Sequence, residues 1–469
     1  MVDLKWKDFS YAFNEFWTEF RKIKSGMVGL VLLIILILTT IFEPIISPYP
    51  EATNRWRDIT YWEDNPKSAA PVWTNWFRKE KLPETQILEN SNFEEISKGA
   101  LKIYNFDFDY NFDFATAPED FIIHFDAIGA PIISINLIRP DGEKIILSKK
   151  SLNLSNKSDV RISLGTDAKD GAYKFANKID YENSSSVLKS TINPLNIIFS
   201  QAKENIISSP EFLKGDYKIT VQAIFTKGEG EISNPLAKIN GKVSGVLGTD
   251  NFKRDLWSGV LAGIKWALLI GLLTAAISVT VGVSYGITSA YYGGWVDSFM
   301  QRILEFFLNI PFIPILIVIS AIFKPSIWTL IILMCLLNWT GSVRTVRSMG
   351  LQIKEETYIE ASKALGASNS RIIFKHMIPL LVPYSFANMA LSVPAAILTE
   401  AGMSVLGLGD ASIVTWGQIL QDARTGGAMV QGIWWWIIPP GLMISVVGMT
   451  FAFIGFSMDK ILMPKLKTR

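Results

Sequence analysis

Residues 358–379 read YIEASKALGASNSRIIFKHMIP, a basic stretch of mixed polarity set between runs that are almost pure hydrocarbon. Good helix formers fill KEETYIEASKAL (354–365), and Tyr358, Ala361 and Leu365 fall at i, i+3 and i+7 as one narrow apolar stripe. Gly366 supplies the left-handed position that ends a helix, and Ser368 or Ser370 can cap a second one. Arg371 to Met377 continues helically, and Pro379 stands at the entry of the next apolar run. The expectation is two short amphipathic helices joined at a glycine. Such a pair could lie flat among lipid headgroups. The stripe is thin, however, and Ala361, Ser362 and Ala364 offer lipid little to bury. Small side chains instead let another protein approach closely, so a protein socket is the preferred reading.

Working outward, residues 26–46 carry no charge before Glu43 and are long enough to cross a hydrocarbon layer of about 30 Å at about 1.5 Å per residue. Further apolar runs occupy 261–288, 303–323, 326–343, 380–399 and 434–456. These account for a chain of 469 residues that is 49% hydrophobic, with a mean hydropathy of +0.26. The expected fold class is an α-helical polytopic membrane protein with six transmembrane helices. The first run could also be a secretory signal, but no small-residue cleavage site follows it and EPIISPYP continues directly.

Lysine and arginine set the orientation. Lys5, Lys7, Arg21, Lys22 and Lys24 precede the first span. Arg344, Arg347, Lys354, Lys363, Arg371 and Lys375 lie in the 344–379 loop, and Lys460, Lys465, Lys467 and Arg469 in the tail. With six spans these fall on one side, leaving only Lys324 and Arg424 in the opposite short connections. The N-terminal segment (1–25), the loop and the tail (459–469) are therefore expected in the cytoplasm.

Residues 47–247 are a different material, rich in Asn, Asp, Lys, Ser and aromatics. About 200 residues without a crossing run call for a domain of their own. IISINLIRPDGEKIILSKKSL (132–152) reads as two strands around Pro140-Asp141-Gly142, and Tyr217, Ile219, Val221 and Ala223 alternate onto one face. A β-rich, sandwich-like extracytoplasmic insert with one core is expected. The chain's one cysteine, Cys335, falls inside a span, so the insert folds without disulfides. Asn153, Asn156 and Asn183 begin Asn-x-Ser tripeptides, which glycosylation could use but which also arise freely in such sequence. The aromatics Tyr61, Trp62, Trp73, Trp76 and Phe77 suit a ligand platform, a docking edge, a headgroup belt or plain core.

No catalytic centre is legible. His124 and His376 are the two histidines and lie on opposite sides of the membrane; His124 reads as a packed strand residue. No GxxxxGK[ST] occurs, so the chain does not itself cradle nucleotide phosphates. No cofactor and no nucleic acid is expected on it.

EASKALGASNSRIIFKHMIP resembles the EAA loop of the membrane-spanning subunits of ABC importers. Glu360, Ala361, Ser362, Gly366, Ile372 and Ile378-Pro379 stand at the motif positions, with Ser362 for the usual second alanine and Ile378 for leucine. GTDNFKRDLWSGVLAGIKWALLIGL (248–272), YYGGWVDSFMQRILEFFLNIP (291–311), EAGMSVLGLG (400–409) and TWGQIL (415–420) resemble the second permease subunit of the dipeptide/oligopeptide branch, as does the first span with EPIISPYP. Lys253 stands where that family prefers glycine, and the insert is far longer than its usual loop. The resemblance implies a type I importer permease core over 248–458, paired with a homologous second permease. It implies two ATPase subunits that bind ATP and Mg, an extracytoplasmic binding protein, and peptides or oligosaccharides as cargo. In the family this loop couples to the ATPase, which assigns coupling to Tyr358, Glu360, Ala361, Ser362, Leu365, Gly366, Ala367 and Ile372.

Glu400 near the outer end of the fifth span, with Ser404, is a candidate for the path or outer gate, or else an interfacial acid bonded to the glycine turn beside it. Pro311 and Pro314 are expected to kink the third span, with Asn309, a further path candidate, satisfying a freed carbonyl. Gly259/Gly263 and Gly282/Gly286 would allow close helix contact. The alternative function is a membrane-anchored binding or sensing protein whose β domain does the work; five spans after that domain are excessive for an anchor.

Overall fold

A computed structural model of the protein describes residues 16–99, 101–323 and 325–462. Lys5, Lys7, Lys324, Lys465, Lys467 and Arg469 lie outside the described residues. The chain divides into two units, Asp58–Trp257 and a helical unit made of the remainder on either side. The insert was expected to begin at 47 and end at 247. Residues 47–57 instead group with the helices, and 248–257 close the β unit.

Helix α1 (Lys24–Ile46) is the first apolar run, extended by two residues at its start. In the β unit, β1 (Gln86–Glu89), β2 (Asn92–Lys98), β3 (Leu101–Phe112), β4 (Asp120–Ile138), β5 (Lys144–Ser151), β6 (Leu154–Ser163) and β7 (Gly215–Asn240) form one antiparallel sheet. Its central strands are long because each bends. They do so at the same height, where Gly129 (φ +100°) pairs with Gly230 (φ +140°) and the register slips. A side chain at Gly230 would strike the Phe225 ring, so glycine is needed there for space as well as for φ. The bend folds the sheet on itself and packs aromatic rings between its halves: Phe106 against Phe125 at 6.1 Å and Tyr110 against Phe121 at 6.0 Å. The sandwich is thus one folded sheet with one core. The Pro140-Asp141-Gly142 turn forms as read, and Tyr217, Ile219, Val221 and Ala223 are all buried. Helix α2 (Thr166–Ile179) covers β5.

Two sequence expectations change here. His124 alternates onto the outer face between buried Ile123 and Phe125, and its Nε2 lies 3.2 Å from Asp64 Oδ2, with Arg161 bonded to the same carboxylate. The aromatic segment splits: Trp62 is buried, whereas Trp76 and Phe77 are 82% and 81% exposed.

The helical unit continues with α3 (Leu256–Tyr292), α4 (Gly294–Leu308), α5 (Phe312–Ile322), α6 (Ile327–Asn338), α7 (Thr340–Lys354), α8 (Thr357–Ala364), α9 (Ile378–Val405), α10 (Trp416–Thr425) and α11 (Ile438–Leu462). Among the described residues five helices are long and apolar enough to cross a membrane, or six if the bent pair α4–α5 counts as one. That third span, expected over 303–323 with a kink at Pro311 and Pro314, turns by 71° at Asn309–Pro311. Pro311, without an N–H, caps α5, while Asn309 Nδ2 donates to the Glu305 carbonyl at 2.7 Å; Pro314 sits harmlessly in the first turn. Gly282 and Gly286 bring α3 against the Trp339 and Val343 carbonyls, a true close approach of helices. Gly259 and Gly263 serve differently, making room for the indoles of Trp56 and Trp416.

Candidate functional site

The stretch read first holds one short helix, α8, and the beginning of the long helix that follows it. Span four runs on through α7 to Lys354, and residues Asn369–Arg371, a π-helical turn (Ile372–Met377) and α9 together form one helix from Asn369 to Val405. Only α8 is therefore a separate short helix. The second surface helix that was expected is the beginning of the span-five helix, the π-helical turn at Ile372–Met377 carrying the chain past Pro379, which has no N–H to give.

Local chemistry fixes both ends of the joint. Gly366 (φ +82°) ends α8, with its N–H bonding the Lys363 carbonyl at 3.0 Å and Ala367 N–H reaching back to the Ser362 carbonyl at 3.1 Å. This is the paired-bond helix stop that a left-handed residue makes. No atom lies within 4 Å of where a Gly366 side chain would begin, so glycine is required for its φ alone. Ser368 then accepts from Arg371 N–H at 3.4 Å and starts the next helix.

Helix α8 is pinned by one side chain. Ile359 is buried with Val283, Ile287, Tyr291, Val346, Ile372, Ile373 and Met377. Tyr291 Oη donates to Asn369 Oδ1 at 2.8 Å, fastening the base of span five to α3. The other face points away from the bundle. Leu365 is 89% exposed and Tyr358 41%, with Glu360, Ala361 and Gly366 also exposed and Ser362 and Ala367 half-buried. Phe374 adds a further exposed ring. Of the eight residues assigned to coupling, Ile372 alone is fully buried; it supports α8 from within. The stripe Tyr358–Ala361–Leu365 is thus the outward face, and the inward anchor, Ile359, was missed. Its signal was an isolated β-branched residue one position off that stripe. A second missed element stiffens the same end. Asp297 of α4 accepts from Arg347 Nε at 2.7 Å and Nη2 at 2.5 Å, and from Ser289.

Glu400 and Ser404 are brought together, while Asn309 belongs to the α4–α5 break. The Glu400 carboxylate, 5% exposed, accepts from Ser404 Oγ at 2.7 Å and Thr415 Oγ1 at 2.8 Å. Thr415 caps α10 by accepting from Gln418 N–H, and Trp416 Nε1 donates to the Val260 carbonyl at 2.9 Å. Arg57 closes the same corner: its Nη1 lies 2.9 Å from Asp422 Oδ2, and its Nε donates to the Ala411 carbonyl at 3.0 Å. Glu400 is therefore the centre of a buried clasp holding α10 to α9. Arg57 and Asp422 belong to that clasp and gave no sequence signal, being ordinary charges 365 positions apart. Among the described residues no three His, Cys, Asp or Glu side chains gather as metal ligands.

Comparison with known proteins gives the family. A family described as "Binding-protein-dependent transport system inner membrane component" matches residues 258–468, and one described as "N-terminal TM domain of oligopeptide transport permease C" matches 12–70. The two leave residues 71–257 between them. The dipeptide transport system permease protein DppC of Bacillus subtilis is 35% identical over 222 residues, 47% of this chain and 69% of that protein. The oligopeptide transport system permease protein OppC of the same organism is 33% identical, over 47% of this chain and 72% of its own length. OppC of Haemophilus influenzae is 35% identical, over 47% and 70%. Inward-facing structures of the MetNI methionine ABC transporter align over 46% of this chain and 98% of theirs, with 17% identity and a TM-score of 0.34. The chain belongs to the binding-protein-dependent transport permeases, the membrane-spanning subunits of ABC importers.

Proposed function

We propose that this chain is one of two permeases forming the path of an ATP-driven peptide importer, and that α8 is the handle by which separate ATPases work it. The support for peptides comes from the names of its relatives. The observation that carries the handle is the division of α8 into a buried pin, Ile359, and an exposed face made by Tyr358, Glu360, Ala361 and Leu365. A large apolar side chain left almost wholly in solvent beside small residues suits a groove on a partner.

On this reading two ATPase subunits bind ATP and Mg and close on hydrolysis-competent nucleotide. The helix α8 moves with one of them. Because α7 and the 369–405 helix run directly from α8 into the bundle, displacement reaches the spans without a flexible link to absorb it. A homologous permease completes the path, and a binding protein delivers cargo. The lysine and arginine bias supports an orientation with α8, Lys22, Lys24 and Lys460 in the cytoplasm and the β unit outside. The Glu400 clasp steadies the outer corner of the path, and the α4–α5 break at Asn309 gives it a bend. The test is transport-linked ATP hydrolysis by the reconstituted complex. Glu360→Lys or Leu365→Glu is expected to abolish stimulation by loaded binding protein while membrane insertion is unchanged. Full stimulation in both variants would falsify the handle.

A further inference from the structure

Within the β unit, Glu119 and Asp120 lead into β4 beside a cavity of about 370 Å³. Neither carboxylate makes an ion pair among the described residues. Glu119 is held by the backbone of Lys67, and Asp120 accepts from the Phe121 N–H at 2.9 Å. Glu119 is exposed and Asp120 half-buried, and the partial desolvation each suffers pushes both carboxyls above their usual range. A cation arriving beside them would reverse that.

Asn240 lines the same cavity, directly across the β4–β7 ladder from Asp120. It is 1% exposed, and neither its amide nitrogen nor its amide oxygen has a partner among the described residues. Buried amides are ordinarily paired, so one left open in the wall of a cavity is a group waiting for a ligand donor and acceptor. Three lysines complete the lining. Lys253 Nζ donates to the Glu63 carbonyl at 2.8 Å and Lys169 Nζ to the Ser190 carbonyl at 3.1 Å, each keeping spare N–H groups, while Lys67 is exposed.

The cavity therefore offers carboxylates without an ion pair, an unpaired amide and ammonium donors together. Three cations in the lining disfavour a lone divalent metal ion. A molecule with an ammonium, a peptide group and a carboxylate satisfies all three features. We infer that this cavity binds a short zwitterionic peptide, its terminal ammonium against Glu119 and Asp120, its peptide group on Asn240 and its carboxylate toward the lysines. The choice of a peptide rests on the importer reading above. The insert then holds cargo on the permease itself, in a part of the chain that the family matches do not cover.

The test is calorimetric titration of the full-length protein in detergent with trialanine, N-acetyl-trialanine and calcium chloride. Trialanine is expected to bind, and the acetylated peptide at least tenfold more weakly. The double variant Glu119→Gln/Asp120→Asn should lose at least tenfold with an unchanged unfolding midpoint. Lys67→Ala, at an exposed position, should weaken trialanine severalfold and leave trialanine amide unaffected. Equal binding of the acetylated peptide, unaltered trialanine binding by the double variant, binding of calcium alone, or no binding at all would each overturn the site. Hydrolysis by the assembled transporter separates this from the wider reading. Peptide-stimulated hydrolysis without binding to the isolated chain sinks the cavity only, whereas no response of the assembly to any peptide sinks the importer.

Discussion

The helical unit and the β unit bury opposite amounts of the same residue types. Along α1, Val31, Ile35, Ile41 and Ile45 face outward, whereas in β3 Tyr104, Phe106, Phe108, Tyr110 and Phe112 are all buried. The first arrangement is stable where lipid or another helix is the neighbour, the second where water is. The difference teaches how each unit keeps its shape. The helices approach through glycines and small residues such as Gly286 and Ser342, while the sheet depends on interlocked rings.

That contrast can be broken most forcefully in the sheet. Phe199 contacts Phe112 at 4.7 Å and Tyr217 at 4.4 Å in the centre of the core. Phe199→Ala is expected to cost about 3–5 kcal/mol, enough to unfold the β unit, while the helical unit keeps its far-ultraviolet dichroism. Limited proteolysis before and after heating checks this; cleavage throughout the spans would mean that the units do not fold separately. On the helical side, Leu365→Glu should cost about 2 kcal/mol in ATPase affinity, or about thirtyfold, with no change in unfolding midpoint. Co-purification of the ATPase subunits measures it. Gly366→Ala forces a side chain into the left-handed region at about 1–2 kcal/mol. Because space is free there, the loss should appear as fraying of α8, read by hydrogen exchange at Leu365 and Ala367.

A smaller effect sharpens the other side of the comparison. The hydrogen bond to Asp64 raises the His124 pKa, and Arg161 and Asp159 also face this imidazole. Burial alone would raise Asp64, yet bonds from His124 and Arg161 hold its carboxyl well below the usual range. The histidine contribution is full below about pH 6.5 and fades as pH rises through its elevated folded value; the aspartate contribution fades only as pH falls toward strong acid. Both groups are part-exposed, so screening keeps the pair under about 1 kcal/mol. Urea midpoints of the β unit should drop between pH 6 and 8, and His124→Ala should flatten that drop.

Spans and strands were legible because hydrocarbon length and alternation are local. The insert's two strands and their turn formed where Pro140-Asp141-Gly142 announced them. The α4–α5 bend was half-visible through Pro311, but its 71° angle depends on neighbours. What escaped was non-local. The clasp of Arg57, Asp422 and Glu400 joins distant positions, and the sheet's fold at Gly129 and Gly230 requires two glycines to meet across a ladder. Lys253 shows the reverse: its φ of +66° gives a physical reason why glycine is preferred there. In the candidate site, the glycine stop was plain, yet the inward and outward faces of α8 were decided by Ile359, whose partners lie in α3, α7 and span five.

The handle is tested most directly by a spin label at Ala361→Cys, with Cys335, the chain's other thiol, changed to serine. The account predicts a label mobile and water-accessible in the lone subunit that becomes immobile and shielded when the ATPases join. A label that stays mobile in the full assembly, or that is reached by lipid-soluble oxygen in either state, contradicts it.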